Sequence, residues 1–260
     1  MTLSIVTINY NNSEGLQNTI ESVISQTYKP FEFIVIDGGS NDGSVEVIKK
    51  YKDKITFWQS EPDKGVYNAM NKGIKQSSGE YLLMLNSGDY LSDTDILQKM
   101  MVNCLGEDII YGDVIWNNEN TFYYGYIPSV LTFRYFINSS LGHQATIIKR
   151  TAHDIVGLYD ETYKIVSDWN FFLIGLFKYG LTYKYVPIKV SICSRDGMSC
   201  KPENSHLIIK ERTEILNKSF SLFMPDYMLL DAVSNELKTI KKQLLYRVFL
   251  KLNNVLNRKK

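Results

Sequence analysis

No uninterrupted apolar run in this sequence approaches the ~18 residues that a membrane-spanning helix needs. The N-terminus, MTLSIVTINYNN, has no basic segment, no long apolar segment behind one and no small-residue cleavage pattern, so it does not read as a secretory leader. Cysteine is scarce. Cys104, Cys193 and Cys200 are odd in number and form no CxxC pair. That disfavours a disulfide framework and a structural zinc site, and fits thiols kept reduced in the cytoplasm. An excess of one charge is missing as well: 29 Lys and Arg face 28 Asp and Glu. The balance gives no ground for a nucleic-acid partner. A phosphate-cradling glycine loop is also absent. The first apolar run leads into NYNNSEG, and the glycines of GGSNDG have the wrong spacing for GxGxxG or a P-loop. No Ser-His-Asp or Cys-His set suggests a covalent nucleophile.

What is present is a repeated rhythm. Apolar runs at 3–10, 31–37, 55–60, 80–86 and 108–116 each lead into a polar break. Helical patterns follow the first four, with Leu16, Ile20, Val23 and Ile24 the clearest. Strands alternating with helices predict an α/β fold with a Rossmann-like, mostly parallel sheet and helices on both faces. After about residue 117 the rhythm changes. NNENTFYYGYIPS reads as a loop or short strand pair, 142–150 as a strand, 167–180 as a helix, and 181–193 as extended, with Pro187 marking an edge or bulge. From about 203 the chain reads as helical. The expected division is 1–116 as a nucleotide-type α/β half, 117–200 as an accessory half of the same domain, and 201–260 as a helical extension.

Ligands of an open parallel sheet bind beyond the carboxyl ends of its strands. The second strand ends in Asp37-Gly38-Gly39-Ser40, the third in Glu61-Pro62-Asp63-Lys64-Gly65, and the fourth in Asn86-Ser87-Gly88-Asp89. Three successive strands thus deliver an acid to one edge. Such acids repel one another unless a cation or a ligand's N–H groups lie among them. A nucleotide held without a glycine loop calls for a metal ion at its diphosphate.

SIVTINYNN, IVIDGGSNDGS, EPDKGVYNAMNKGI and LLMLNSGD, in this order, resemble an inverting family 2 glycosyltransferase with the GT-A fold. The likeness is strong over 2–115 and extends more loosely through GHQATIIKR and YDETYKIVSDWNFFL. It is nearest to bacterial enzymes that build O-antigen, capsule or exopolysaccharide repeat units. The resemblance implies a nucleotide-sugar donor, a uridine diphosphate sugar, and a lipid-linked saccharide acceptor. It implies hexosyl or N-acetylhexosaminyl transfer. Ile8 and Tyr10 would line the base pocket, with Asp37 accepting the uracil N3–H and Asp63 near the ribose and diphosphate. Asn86, Ser87, Gly88 and Asp89 stand in place of the family's D-x-D signature. Asn86 replaces its first acid, so Asp89 alone would hold Mn2+ or Mg2+ together with diphosphate oxygens. Asp168 matches the general base, and His143 lies on the acceptor side.

Each residue also has a plainer reading. Asp168 or Ser167 can cap a helix. Asp37 and Asp89 can be turn formers, Asp63 a loop acid paired with Lys64, and His143 a core histidine. The aromatics of 122–136 are expected to pack rather than form a sugar platform. Asp160 and Glu161 are expected to shape a loop. The Asn86 replacement keeps open a non-catalytic sugar-nucleotide or carbohydrate-binding protein. A nucleotidyltransferase would need a basic glycine-rich loop that NYNNSEG lacks.

The C-terminus is basic and amphipathic. From Leu237 onward, Lys238, Lys241, Lys242, Arg247, Lys251, Arg258, Lys259 and Lys260 meet no acid. At about 100° per residue, Leu244, Leu245, Val248, Phe249, Leu252, Val255 and Leu256 share an arc of about 140°. Residues 238–260 are thus suited to peripheral contact with the inner face of the cytoplasmic membrane, or equally to packing on the domain or on a second copy in a homodimer.

Overall fold

The computed structural model describes residues 2–118, 121–125, 127–194 and 197–257. Glu119, Asn120 and Tyr126, within the expected loop or strand pair, lie outside the described residues, as do Arg258, Lys259 and Lys260 of the basic tail and the side chains of Lys251, Leu252, Val255 and Leu256. The chain divides into two compact units, 1–212 and 213–260.

The first unit is organised by one sheet. Its strands are β1 (Leu3–Asn9), β2 (Phe31–Asp37), β3 (Phe57–Ser60), β4 (Tyr81–Met84), β5 (Tyr90–Leu91), β6 (Ile109–Asn118), β7 (Thr121–Tyr124), β8 (Thr146–Lys149) and β9 (Tyr183–Ser194). The spatial order is β3-β2-β1-β4-β8-β6-β9-β5, with β7 on β6. β3, β2, β1 and β4 are parallel. β8 is antiparallel to β4, β6 is antiparallel to β8, and β9 is parallel to β6. β1, β2, β3, β4, β6 and β9 therefore run one way, and β5, β7 and β8 the other. The mostly parallel α/β sheet is the fold expected from the alternating pattern. It runs through both halves expected within residues 1–200.

Every residue of β1 is buried, because helices cover both faces. α1 (Ser13–Ile24) packs Leu16, Ile20 and Val23 against one face, and α3 (Val66–Gln76) packs Tyr67, Met70 and Ile74 against the sheet. Gly73 of α3 lies so near Val6 that an added Cβ would stand 2.2 Å from its Cγ1. The strand order reverses beside β1: β2 and β3 lie to one side, β4 to the other. A crevice at such a reversal is where α/β sheets bind ligands.

One local difference from the sequence reading stands out. The segment expected as one strand over 142–150 is a 3-10 turn over His143–Ala145, then β8, then α6 (Arg150–Val156). The turn is fixed by Gly142 O, which accepts from Ala145 N at 3.0 Å and Thr146 Oγ1 at 2.8 Å. The polar stretch after 117 contains the β6–β7 hairpin. Pro187 falls where β9 shifts register against β6, between the pairs Tyr111↔Tyr185 and Asp113↔Lys189. A residue without an N–H is tolerated there. The remaining helices are α2 (Ser44–Lys50), α4 (Ile96–Met101), α5 (Phe133–Asn138), α7 (Ser167–Phe177), α8 (Ser205–Phe220) and α9 (Met224–Asn257).

Candidate functional site

Beyond β1 the chain turns through Asn11, whose φ of +48° is left-handed, a conformation asparagine tolerates. Asn11 N donates to Ser40 Oγ at 2.8 Å, and Asn41 N donates to Asn11 Oδ1 at 2.9 Å. Asn12 caps α1 by accepting from Gly15 N at 3.1 Å. Its Nδ2 donates to Ser87 O at 3.1 Å. The turn after β1 therefore ties the loop after β2 to the loop after β4. Ile8 is 8% exposed, too little to form an open pocket wall, and joins the site through its carbonyl, which accepts from Ser87 N at 3.0 Å.

Asp37 was expected to read a base directly, and the structure closes it off. The residue is fully buried. Its Oδ1 accepts from Asn9 Nδ2 at 2.7 Å and Ser40 Oγ at 2.6 Å. Its Oδ2 accepts from Gly39 N at 3.2 Å, Ser40 N at 2.9 Å and Ser60 Oγ at 2.6 Å. A carboxylate offers about four lone-pair sites, so no capacity is left for a ligand N–H. Burial acts to raise the Asp37 pKa, but the hydroxyls of Ser40 and Ser60 lead the bonds that hold it below its ordinary value. Asp37 is the hub that shapes the loop 38–40.

Gly38, one residue on, is buried as well. An added Cβ at Gly38 would stand 2.6 Å from Asp63 Oδ2 and 3.2 Å from Tyr10 Cδ2. Gly38 thus packs beneath a carboxylate and an aromatic ring, with no room for a side chain of its own. Tyr10 is 67% exposed and so has a free ring face. Asp63 is held by Gly65 N, which donates to its Oδ1 at 2.8 Å.

The loop after β4 is clamped by Thr19 of α1, whose Oγ1 accepts from Gly88 N at 3.0 Å and donates to Asp89 O at 2.7 Å. Gly88 has φ +97°, with Asn12 Nδ2 3.2 Å from an added Cβ, so the turn requires glycine. Burial pushes the Asp89 carboxyl up to about 6, against the charge of His143 and hydrogen bonds from the Cys193 thiol and Ser194 amide. Asn86 Oδ1 is buried without a hydrogen-bond partner. No group of three or more His, Cys, Asp or Glu suited to a metal occurs among the described residues.

Asp168 and His143 meet in this structure. Asp168 Oδ2 is 3.0 Å from His143 Nδ1, and Asp168 Oδ1 accepts from Tyr67 Oη at 2.9 Å. His143 Nε2 is 3.1 Å from Asn86 Nδ2. With the amide nitrogen donating, the neutral imidazole accepts at Nε2 and carries its proton on Nδ1, facing Asp168; a protonated ring would instead donate from Nε2 to the Asn86 amide oxygen. A chain Tyr67–Asp168–His143–Asn86 therefore runs from α3 through α7 to the loop after β4. For Asp168, burial raises the pKa, but the His143 hydrogen bond and charge, with Tyr67, leave it below the usual value. For His143, burial lowers the pKa, and the Asp168 bond and charge outweigh that and leave it raised. Both side chains keep a little access, at 17% and 18% exposure. The residue that caps α7 is Val166, without a side-chain bond, so neither Asp168 nor Ser167 is a helix cap.

The sequence reading missed Asn9, Ser40, Ser60 and Tyr67. Asn9 carried a signal, as a polar residue ending a buried strand. Tyr67 carried another, since a hydroxyl at a core position of a helix needs an acceptor. Phe122, Tyr123 and Tyr124, expected to pack, stand exposed on β7, with Lys189 Nζ 3.8 Å over the Tyr124 ring centroid. Glu161 does fasten its loop, accepting from Asn68 and Asn71 of α3 at 2.9 Å each.

A family profile described as "Glycosyl transferase family 2" matches residues 4–159. An uncharacterised glycosyltransferase of Mycobacterium tuberculosis is 32% identical over 202 residues, 75% of each chain. A PGL/p-HBAD biosynthesis glycosyltransferase of Mycobacterium bovis is 28% identical over 201 residues, 75% of this chain and 77% of that one. The crystal structure of S. aureus TarS 1-349 in complex with UDP-GlcNAc superposes with a TM-score of 0.65 at 19% identity, covering 84% of this chain and 67% of that one. A longer structure of the same S. aureus protein is matched over 37% of its length. Profile, sequence relatives and sheet agree with the strand-end loops: the chain belongs to glycosyl transferase family 2.

Proposed function

We propose that this glycosyltransferase moves a hexosyl or N-acetylhexosaminyl group from a uridine diphosphate sugar to a hydroxyl of a lipid-linked saccharide, with inversion, in cell-surface polysaccharide biosynthesis. The chain Tyr67–Asp168–His143–Asn86 carries the reading, because it joins an ionised carboxylate to the loop that would face the diphosphate. The acceptor's lipid would place the reaction at the inner face of the cytoplasmic membrane.

The base would stack on the exposed Tyr10 ring. With Asp37 sealed, Asp63 is the carboxylate beside that ring, and it is the acceptor we assign to the uracil N3–H. The UDP-GlcNAc held by the S. aureus structure supports a uridine donor. A divalent ion fits the loop after β4: burial disfavours the charge on Asp89 and Asn86 Oδ1 has no hydrogen-bond partner, so two hard oxygens there suit a cation. Asp89 would hold Mn2+ or Mg2+ jointly with the diphosphate, since one carboxylate does not make a closed protein site. When bound, the ion supplies charge stabilisation for the leaving diphosphate.

The chemistry of the chain itself is a single displacement. The acceptor oxygen forms a bond to the anomeric carbon as the bond from that carbon to the diphosphate oxygen breaks. The diphosphate leaves with the electron pair. Asp168 takes the hydroxyl proton. Tyr67 and His143 hold its two oxygens in place.

A second reading, a sugar-nucleotide-binding protein without catalysis, is favoured by Asn86 standing where the family places an acid. Both readings require the donor to bind beside Tyr10 and Asp63. Uridine diphosphate with manganese at ~100 times its dissociation constant is expected to add roughly 2.7 kcal/mol of stability. For a domain of this size that raises the melting temperature by about 5–10 °C. Gly38→Val should drive a side chain into Asp63 and Tyr10 and weaken uridine diphosphate binding about 10–100-fold, the scale of an overpacked contact. Stabilisation by cytidine or guanosine diphosphate but not uridine diphosphate would refute the base assignment. Undiminished binding by Gly38→Val would refute the placement of the base beside Tyr10 and Asp63.

A further inference from the structure

We infer that α9 docks the protein on an anionic lipid bilayer, lying in the interface with its apolar stripe down. α9 carries Leu230, Val233, Leu237, Ile240, Leu244 and Val248, each between 45% and 69% exposed. At about 100° per residue these six fall within an arc of about 80°, while Leu229, Leu245, Tyr246 and Phe249, also exposed, lie outside it. A helix that turns one continuous apolar stripe to water needs a partner.

The charges name the partner. Asp226, Asp231 and Glu236 all precede Leu237. From there on, Lys238, Lys241, Lys242 and Arg247 stand alone. Lys241 and Arg247 border the stripe on opposite sides, about 20° beyond its edges, and Lys238 and Lys242 lie further round. Long basic side chains in those positions extend along an apolar surface and leave their charges at headgroup level. Every charge in this half of the helix has the sign that anionic headgroups attract.

A second copy of the chain is a poorer fit. The heptad seam 230, 233, 237, 240, 244 lasts two heptads, short of the three or four that a coiled coil sustains. Its next position is Arg247, which would be buried against its own copy. A transmembrane role is also excluded for this helix, since no described helix is long and apolar enough to cross a membrane.

The test is co-sedimentation of the full-length chain with vesicles. One set is phosphatidylcholine alone, the other equal parts phosphatidylcholine and phosphatidylglycerol. Binding is expected only to the second set, and to weaken as salt rises. Each basic residue near such a surface strengthens binding about fivefold, so the combined Lys238→Gln, Lys241→Gln, Lys242→Gln and Arg247→Gln chain should bind about a hundredfold or more weakly. Leu237→Ser with Leu244→Ser keeps the charge and should also lose binding. These positions are exposed, so circular dichroism should show both variants folded. Absence of wild-type binding, or undiminished binding by folded variants, overturns the inference. So does a concentration-dependent dimer, seen by ultracentrifugation, that Leu237→Ser with Leu244→Ser dissolves in a chain that ignores vesicles.

Discussion

Asp168→Asn is expected to lower the rate of sugar transfer about 10²–10⁴-fold, the usual contribution of a positioned general base, and to leave donor affinity nearly unchanged. The substitution is nearly isosteric. The amide can keep its oxygen toward His143 Nδ1–H, now 3.0 Å from Asp168 Oδ2, while Tyr67 keeps its 2.6 Å bond to Ile165 O. What disappears is the group able to take a proton. The negative charge in the first turn of α7 goes too, at a cost of about 0.3–1 kcal/mol of helix-dipole stabilisation. A structural role alone therefore predicts a small loss of stability with near-normal turnover. Tyr10 and Asp63, proposed to hold the base, share no hydrogen bond with this chain, so uridine diphosphate affinity by calorimetry is the control. Near-normal transfer by the folded variant would remove Asp168 from the reaction.

Asp89→Ala is expected to be as damaging. The acid that precedes it in the family signature is Asn86 here, so one carboxylate carries the protein's share of any divalent ion. A metal supplies several kcal/mol of stabilisation to a leaving diphosphate, so turnover should fall about 10³-fold. Excess chelator should do the same to the wild type, and added manganese should restore it. Unlike Asp168→Asn, this change should also weaken uridine diphosphate binding measured with manganese, because the diphosphate and Asp89 would share the ion. The melting temperature in chelator serves as the folding control. Full turnover in excess chelator would sink the metal assignment, whatever the behaviour of Asp89→Ala.

Which of these features could be read from the sequence follows from how local each one is. The alternation of β1, α1, β2 and the later elements is written in periodicity, because an apolar strand covered on both faces leaves a continuous run. The strand-end loops were legible for the same reason. The state of Asp37 was not. Whether a carboxylate faces a ligand or is consumed by its own loop depends on Asn9 and Ser60, which only the sheet register brings to it. The close packing of Gly38 matters only once Asp63 is seen against it. The meeting of His143 with Asp168 was likewise hidden, since it spans 25 residues and rests on a 3-10 turn that the 142–150 pattern disguises as strand. Tyr67 reaches Asp168 over 101 residues. The exposed β7 aromatics show the limit of composition, because β7 pairs with β6 alone.

Turnover of the donor without a chosen acceptor tests the central claim most directly. The full chain is incubated with manganese and a panel of uridine, guanosine and cytidine diphosphate sugars, and released nucleoside diphosphate is measured. Catalysis predicts slow release from a uridine diphosphate sugar, stopped by chelator and by Asp89→Ala, and strongly reduced by Asp168→Asn as water takes the acceptor's place. If uridine diphosphate binds and stabilises the protein yet no sugar nucleotide is turned over, with or without added saccharide acceptors, the catalytic account is contradicted and the chain is a binding protein on a glycosyltransferase fold.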